Sequence, residues 1–163
     1  MTKQQYEKWS APFRRNEKAL KGFTYLNRGM TALVFAAYPL LLFYLFLTGS
    51  KKWFLCVLIP AVSFVLVSLF RRWYSAGRPY ELLDITPLIP KDTVGKSSPS
   101  RHVFSVFIIG MTFFYVNPIV GLAVFFIGIL TAFVRVIGGV HFPKDVAAGA
   151  ALGVLFGLAY YIL

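Results

Sequence analysis

Runs of apolar residues, each ended by a polar cluster, set the layout of this chain. They cover Met30–Thr48, Trp53–Phe70, His102–Val116, Pro118–Val134 and Pro143–Leu163, and none holds a formal charge in its interior. A helix rises 1.5 Å per residue, so about 20 apolar residues span the ~30 Å hydrocarbon core of a bilayer. Four runs approach that length. The third falls short and is expected to gain length by starting in the polar Ser97–Arg101 segment. The pattern predicts an all-α integral membrane bundle of about five transmembrane helices, residues 30–163, preceded by an N-terminal segment, residues 1–29.

That segment reads differently. Lys3, Lys8, Arg14, Arg15, Lys18, Lys21 and Arg28 alternate with Tyr6, Trp9, Phe13, Leu20 and Phe23. Basic residues mixed with aromatics suit a helix lying in the membrane interface, or a solvated basic arm ahead of the first span. Pro12 is expected to interrupt any single helix there. No small-residue cleavage site follows an early hydrophobic run, so a removable signal peptide is not expected.

Composition agrees with the spans. Of 163 residues, 58% are hydrophobic, 18% aromatic and only 14% charged, against about 25% charged in soluble domains. Mean hydropathy is +0.68. A soluble fold is excluded, and the length suits one domain. Cys56, the single cysteine, lies inside an apolar run and excludes a disulfide framework or a cysteine-rich zinc site.

Charge then orients the bundle. Seventeen Lys and Arg stand against six Asp and Glu, a formal +11. If each run crosses once, all the basic residues except Lys51 and Lys52 fall on one face, together with every acid. Trp53, Tyr115, Tyr160 and Tyr161 fall near the other, as an aromatic belt does. The positive-inside rule places the basic face in the cytoplasm. Contact with anionic lipids or with phosphate chemistry at the bilayer edge explains the charge; a nucleic-acid partner would rest on net charge alone and is not expected. Nor is a transporter, since no span holds an interior charge.

The basic face also carries the chemistry. Thirty-one residues, 71–101, join the second and third runs, far more than a bundle connection needs, and such loops are functional or disordered. This one holds Arg71-Arg72-Trp73-Tyr74-Ser75-Ala76-Gly77-Arg78-Pro79 and later Pro99-Ser100-Arg101-His102. The turn between the fourth and fifth runs holds Arg135, Gly138-Gly139, His141, Pro143 and Asp145. Both histidines of the chain therefore lie at helix ends on one face, where a bundle can bring them together.

Three blocks in this order resemble the signature of the type 2 phosphatidic acid phosphatases, a superfamily that also includes vanadium haloperoxidases. The family pattern is Lys, six residues, Arg-Pro; then Pro-Ser-Gly-His; then Ser-Arg, five residues, His, three residues, Asp. Arg71 to Arg78-Pro79 fits the first with Arg in the Lys place. Pro99-Ser100-Arg101-His102 fits the second with Arg in the Gly place. Val134-Arg135, His141 and Asp145 fit the third with Val in the Ser place. The likeness covers about residues 30–163 and implies a lipid phosphatase of the bacterial plasma membrane.

Physical chemistry suits the roles the resemblance implies. Arginine guanidiniums bind phosphate oxygens bidentately and stay charged, so Arg71, Arg78 and Arg135 are expected to form a phosphate clamp, with the Ser100 hydroxyl a neutral donor. The departing Arg101 is expected either to point away or to join the phosphate site, where it would touch a substrate headgroup or second phosphate. His141 is the expected nucleophile, since a neutral imidazole nitrogen can attack phosphorus. Asp145 would accept the other ring N–H and could also cap its helix. His102 is the expected general acid for the leaving alkoxide and then the base for water. No cofactor and no metal is expected, because two histidines in separate roles and scattered acids give no cage. Glu81, Asp84 and Asp92 read as solvated.

The expected activity is hydrolysis of a lipid phosphate of the phosphatidate or phosphatidylglycerophosphate class through a phosphohistidine. Undecaprenyl pyrophosphate is the alternative substrate, and a catalytically silent phospholipid-binding protein the alternative of another class, motivated by Arg101 and Val134. Gly149, Gly153 and Gly157 recur every four residues and predict close packing inside the bundle.

Overall fold

The computed structural model describes residues 1–163 and is all-helical. The elements are α1 (Lys3–Arg14), α2 (Glu17–Leu47), α3 (Trp53–Tyr74), α4 (Pro79–Leu82), α5 (Arg101–Val116), α6 (Pro118–Ile137) and α7 (Pro143–Gly157), with a closing 3-10 turn, Leu158–Tyr161. Three segments are long and apolar enough to cross a membrane: α2, α3 with the short α4, and α6. α5 has 16 residues and α7 has 15, so the third and fifth expected spans rest on shorter helices. α5 begins at Arg101 and takes no length from residues 97–100.

α5 is the central post. Ten of the eleven residues from Val103 to Phe113 are buried, all but Phe107, and α6 and α7 pack along it more extensively than any other pair of elements. Around it gather Leu45 of α2, Cys56, Ile59 and Val67 of α3, and Tyr160 of the final turn. The Tyr160 hydroxyl, buried in this core, meets Thr112 Oγ1 at 2.7 Å, which satisfies both groups away from water. Large side chains such as Leu40, Phe43, Phe54, Leu69, Phe126 and Phe133 face outward, as a helix bundle in lipid requires. Trp53, Tyr115, Tyr160 and Tyr161 gather at the end remote from the long loop, with Tyr115 and Tyr160 stacked at 4.9 Å.

The helix termini follow local chemistry. Asn16 caps α2 by accepting from Lys18 N and Ala19 N, and Asn117 caps α6 in the same way. Pro118 and Pro143 open α6 and α7, where the missing N–H costs nothing.

The N-terminal segment departs from its expected form. Pro12 lies inside α1 and does not break it. Arg15 N bonds Ala11 O beyond the proline, and Tyr6 and Ser10 are buried against the rest of the protein, so tertiary packing outweighs the lost hydrogen bond. The chain bends instead at Asn16, and α2 runs without interruption from Glu17 through the basic residues 17–29 into the apolar run. At 31 residues its length is about 46 Å, so its first turns project beyond a ~30 Å core.

The glycine repeat of α7 faces α5. A Cβ on Gly149 would lie 2.6 Å from Ser100 O, on Gly153 2.6 Å from Phe107 Cβ, and on Gly157 2.3 Å from Met111 Cγ. Backbone cannot yield as a side chain can, so Gly149→Ala is expected to destabilise by about 1–3 kcal/mol. Gly22→Ala, with nothing within 4 Å, is expected to be neutral or slightly stabilising. Thermal unfolding in detergent compares them; equal midpoints would refute the packing argument.

Candidate active site

The site forms where α3 ends, α5 and α7 begin, and the 75–100 loop folds over them. His141 owes its position to the preceding turn. Gly138 follows α6, and Gly139 takes φ +76°, a conformation that costs a side chain energy and glycine none. A Cβ on Gly139 would also strike the Tyr6 ring at 2.9 Å.

His141 and Asp145 are one helical turn apart. The ring Nδ1 stands 3.8 Å from Asp145 Oδ2, and Ser97 fills the gap. Its hydroxyl donates to Asp145 Oδ2 at 2.5 Å and lies 3.4 Å from His141 Nδ1. Phe142 N also donates to Asp145 Oδ2, at 3.0 Å, so the carboxylate both caps α7 and faces the imidazole. Nδ1 thus points toward the carboxylate side, which leaves Nε2 for the cavity.

Burial, the first cause, and the nearby Arg78 and Arg135 push the His141 pKa down to about 4 despite the opposing pull of Asp145. Its imidazole is neutral at physiological pH. A histidine whose folded pKa lies below its unfolded value favours folding above that unfolded value, near 6.5. That contribution is lost as pH falls toward 4. The pH–rate profile of a reaction that uses His141 is therefore expected to show no loss from its protonation at pH 6.5, the acid limb lying near 4. An acid limb centred at 6.5 that moves with substitution of Asp145 would contradict this.

Arg71 and Arg78 are buried and their guanidiniums are engaged by backbone. Arg71 donates to the carbonyls of Lys96, Ser97 and Pro99. Arg78 donates to Gly95 O at 2.9 Å, Val140 O at 3.1 Å and Lys96 O at 3.3 Å. Gly95 and Lys96 both adopt positive φ, +64° and +55°, which turns their carbonyls onto these two arginines. Glu81 is not merely solvated: its carboxylate accepts from Gly95 N at 2.7 Å and Arg78 N at 3.3 Å. Asp84 reaches Lys3 at 3.4 Å.

A cavity of about 280 Å³ opens over these groups. Ser68, Arg71, Arg72, Arg78, Lys91, Thr93, Lys96, Arg101, His102 and His141 line it, and no hydrophobic residue does. The structure therefore gathers His141, His102, Arg71, Arg78 and Arg101 around one space, with Asp145 behind His141. Arg101 is exposed at the rim, its guanidinium 5.7 Å from the Phe64 ring centre. Ser100 and Arg135 do not line the cavity. Both are buried, and the Ser100 hydroxyl and Arg135 Nε have no hydrogen-bond partner. Val134 packs with Phe23, Met30 and Leu88 and does not line the cavity.

Sequence reasoning missed Ser97, Lys91, Thr93, Lys96 and Ser68. The Lys96-Ser97-Ser98 run before Pro99 was the only signal for Ser97, and it did not distinguish the two serines. Tyr6 gave no signal.

Comparison with known proteins fits this site. Over 116 residues the chain is 30% identical to the bacitracin transport permease protein BcrC of Bacillus licheniformis, covering 69% of this chain and 57% of that protein, less than two thirds of its length. It is 25% identical over 155 residues to the undecaprenyl-diphosphatase BcrC of Bacillus subtilis, 88% of this chain and 80% of that one. In fold it matches LpxE of Aquifex aeolicus with a TM-score of 0.76 at 24% identity, over 98% of this chain and 94% of the other. The PAP2-type phosphatidylglycerolphosphate phosphatase of Bacillus subtilis matches with a TM-score of 0.69 at 22% identity, over 97% and 83%. The PAP2 superfamily model matches residues 51–163, which takes in α3, the long loop and every residue around the cavity, and the chain, an integral membrane protein, belongs to that superfamily.

Proposed function

We propose that the protein hydrolyses a lipid phosphate at the membrane interface, with His141 as nucleophile, Asp145 as its orienting carboxylate, His102 as general acid and base, and Arg71, Arg78, Arg101, Arg135 and Ser100 binding phosphate. The observation that carries the proposal is the polar cavity shared by both histidines and a surplus of cations. His141 Nε2 forms a bond to phosphorus as the P–O bond to the leaving group breaks, and His102 gives that oxygen a proton. His102 then takes a proton from water, whose oxygen displaces the imidazole and releases inorganic phosphate. Arginine donors compensate the charge spread over the equatorial oxygens.

The Ser100 hydroxyl and Arg135 Nε are buried without a protein partner, a costly state, but neither residue lines the cavity, and their part in phosphate binding rests on the family resemblance. A cavity lined by six Lys and Arg and by no carboxylate repels a divalent ion, which supports metal-independent chemistry. The positive-inside bias supports a cytoplasmic site. Among substrates, phosphatidate and phosphatidylglycerophosphate suit that leaflet, and the diphosphatase relative brings in undecaprenyl pyrophosphate.

The test is phosphate release by detergent-purified protein, with chelator, from each of the three lipids. Release that survives the chelator, with an acid-labile, base-stable phosphoryl-protein on rapid quench, is the expected result. Folded protein that releases nothing but still binds the lipids would favour the silent lipid-binding reading, which the departures at Arg101 and Val134 motivate.

A further inference from the structure

Two spaces of opposite character meet between α3 and α5. Val57, Pro60, Ala61 and Phe64 of α3 line an apolar groove, whereas Ser68, Arg71 and Arg72 line the polar cavity. Val57, Ala61, Phe64, Ser68 and Arg72 follow at steps of four, three, four and four, one face of a helix. α5 changes in the same way: Arg101 and His102 line the cavity, and Ser105, Ile108 and Ile109 line the groove. The Arg101 guanidinium, 5.7 Å from the Phe64 ring centre, spans the boundary. A phosphate in the cavity and a lipid chain in the groove are therefore joined beside Ser68, the first polar residue on that face of α3.

Ser68 also has an unmet need. Its Oγ is buried and has no hydrogen-bond partner. Hydroxyls inside a helix can donate back to a carbonyl one turn earlier. This chain does so repeatedly, from Thr24 to Leu20 O, Thr31 to Asn27 O, Thr112 to Ile108 O and Thr131 to Ile127 O. Ser63, on α3 itself, donates to Pro60 O at 3.1 Å. Ser68 takes no such bond, and a buried donor left alone is costly. Ser100 shares that state, but only Ser68 of the two lines the cavity, so a ligand there can supply its partner.

We propose that the Ser68 hydroxyl donates to the leaving oxygen of the substrate, the atom that joins the transferred phosphorus to the lipid. This rests on the phosphatase reading and adds to it a substrate-contacting residue outside the three sequence blocks. In-line displacement puts His141 Nε2 and the leaving oxygen on opposite sides of phosphorus. With the chain in the groove, that oxygen lies at the groove end of the cavity, where Ser68 stands. Negative charge grows on it as the P–O bond breaks, and a donor aimed at growing charge binds the transition state more tightly than the ground state. His102 supplies the proton that completes the leaving alcohol, and Ser68 keeps its own. The benefit is largest for an alkoxide, which holds its charge poorly, and small for a leaving group that delocalises it.

The test varies the leaving group. kcat/KM is measured for phosphatidate, benzyl phosphate and p-nitrophenyl phosphate with wild-type protein, Ser68→Ala and Ser63→Ala. The benzyl and nitrophenyl esters are close in size, and the second leaves as a delocalised phenolate. Ser68→Ala is expected to lose at least about 10-fold on phosphatidate and benzyl phosphate, and less than about 3-fold on p-nitrophenyl phosphate. Ser63→Ala removes a hydroxyl spent on Pro60 O and is expected to stay within about 2-fold of wild type on all three. The ratio between two esters within one protein cancels any difference in folded fraction, so a merely structural role for Ser68 leaves that ratio unmoved. Equal losses on the benzyl and nitrophenyl esters, or no loss on phosphatidate, would overturn the contact. Wild-type protein that releases no phosphate from these esters or from undecaprenyl pyrophosphate would instead count against the phosphatase reading, and the contact would fall with it.

Discussion

Replacing His141 by alanine is expected to lower turnover by at least about 10⁴-fold, since loss of a nucleophile removes the covalent route altogether. Affinity for phosphate is expected to hold within a few-fold, because the guanidiniums proposed to bind it are anchored elsewhere, on Gly95, Lys96, Ser97, Pro99 and Val140 carbonyls. Two measurements separate these effects: steady-state phosphate release, and the rise in thermal midpoint that inorganic phosphate gives each protein. The phosphoryl-protein is expected to vanish from the variant. Turnover above about one per cent of wild type in the His141→Ala protein would assign the nucleophile elsewhere.

The second large effect is expected at Arg71, for a different reason. Its buried guanidinium ties the carbonyls of Lys96, Ser97 and Pro99 to the end of α3. Hydrogen bonds to a charged group contribute about 1.5–3 kcal/mol each and do not sum. Arg71→Ala is expected to cost about 3 kcal/mol of stability and at least about 100-fold in activity. The two losses share a cause: releasing the 96–99 segment withdraws the Ser97 hydroxyl from Asp145 and His141. Arg71→Lys, the residue of the family pattern, keeps the charge without the fork and is expected to fall between. Arg72→Ala, exposed next door, is expected to shift stability by less than about 0.5 kcal/mol. Thermal unfolding of the three variants decides, and equal midpoints for Arg71→Ala and Arg72→Ala would refute the anchoring role.

Much of this architecture was legible because lipid imposes a simple rule on sequence. Long uncharged runs such as Trp53–Phe70 and Pro118–Val134 have few alternatives to a helix, and the polar blocks between them could only lie at helix ends. The four-residue glycine spacing in α7 carried its meaning, since close approach to another helix is the one thing that stripe permits. Pro12 misled, because a local rule about proline says nothing of Tyr6 and Ser10, whose burial holds α1 together.

The site was legible in its participants and less so in its connections. His102, His141, Asp145, Arg78 and Arg101 could be named from the resemblance to the family signature. That Arg71 and Arg78 first bind loop carbonyls could not, because those acceptors belong to the backbone of Gly95 and Lys96, and no side-chain pattern marks a carbonyl turned by a positive φ. Ser97 was hidden for a related reason: a hydroxyl between an imidazole and a carboxylate depends on a fraction of an ångström in the loop's path. Lys91 and Lys96, which line the cavity, lay in a stretch that hydropathy describes only as polar.

Tyr6 gives the site one more dependence. Its hydroxyl donates to Thr86 O at 2.9 Å and accepts from Leu88 N at 3.2 Å, and Arg14 donates to the same hydroxyl and to Thr86 O. Its ring lies against Gly139, two residues before His141. Those contacts join the start of the chain to segments about 80 and 130 residues later. Closing such long loops is slow relative to forming helices. Tyr6 is made 133 residues before Gly139, so the contact between α1 and the Gly138-Gly139 turn forms only after that turn has been synthesised, and His141 gains this support late.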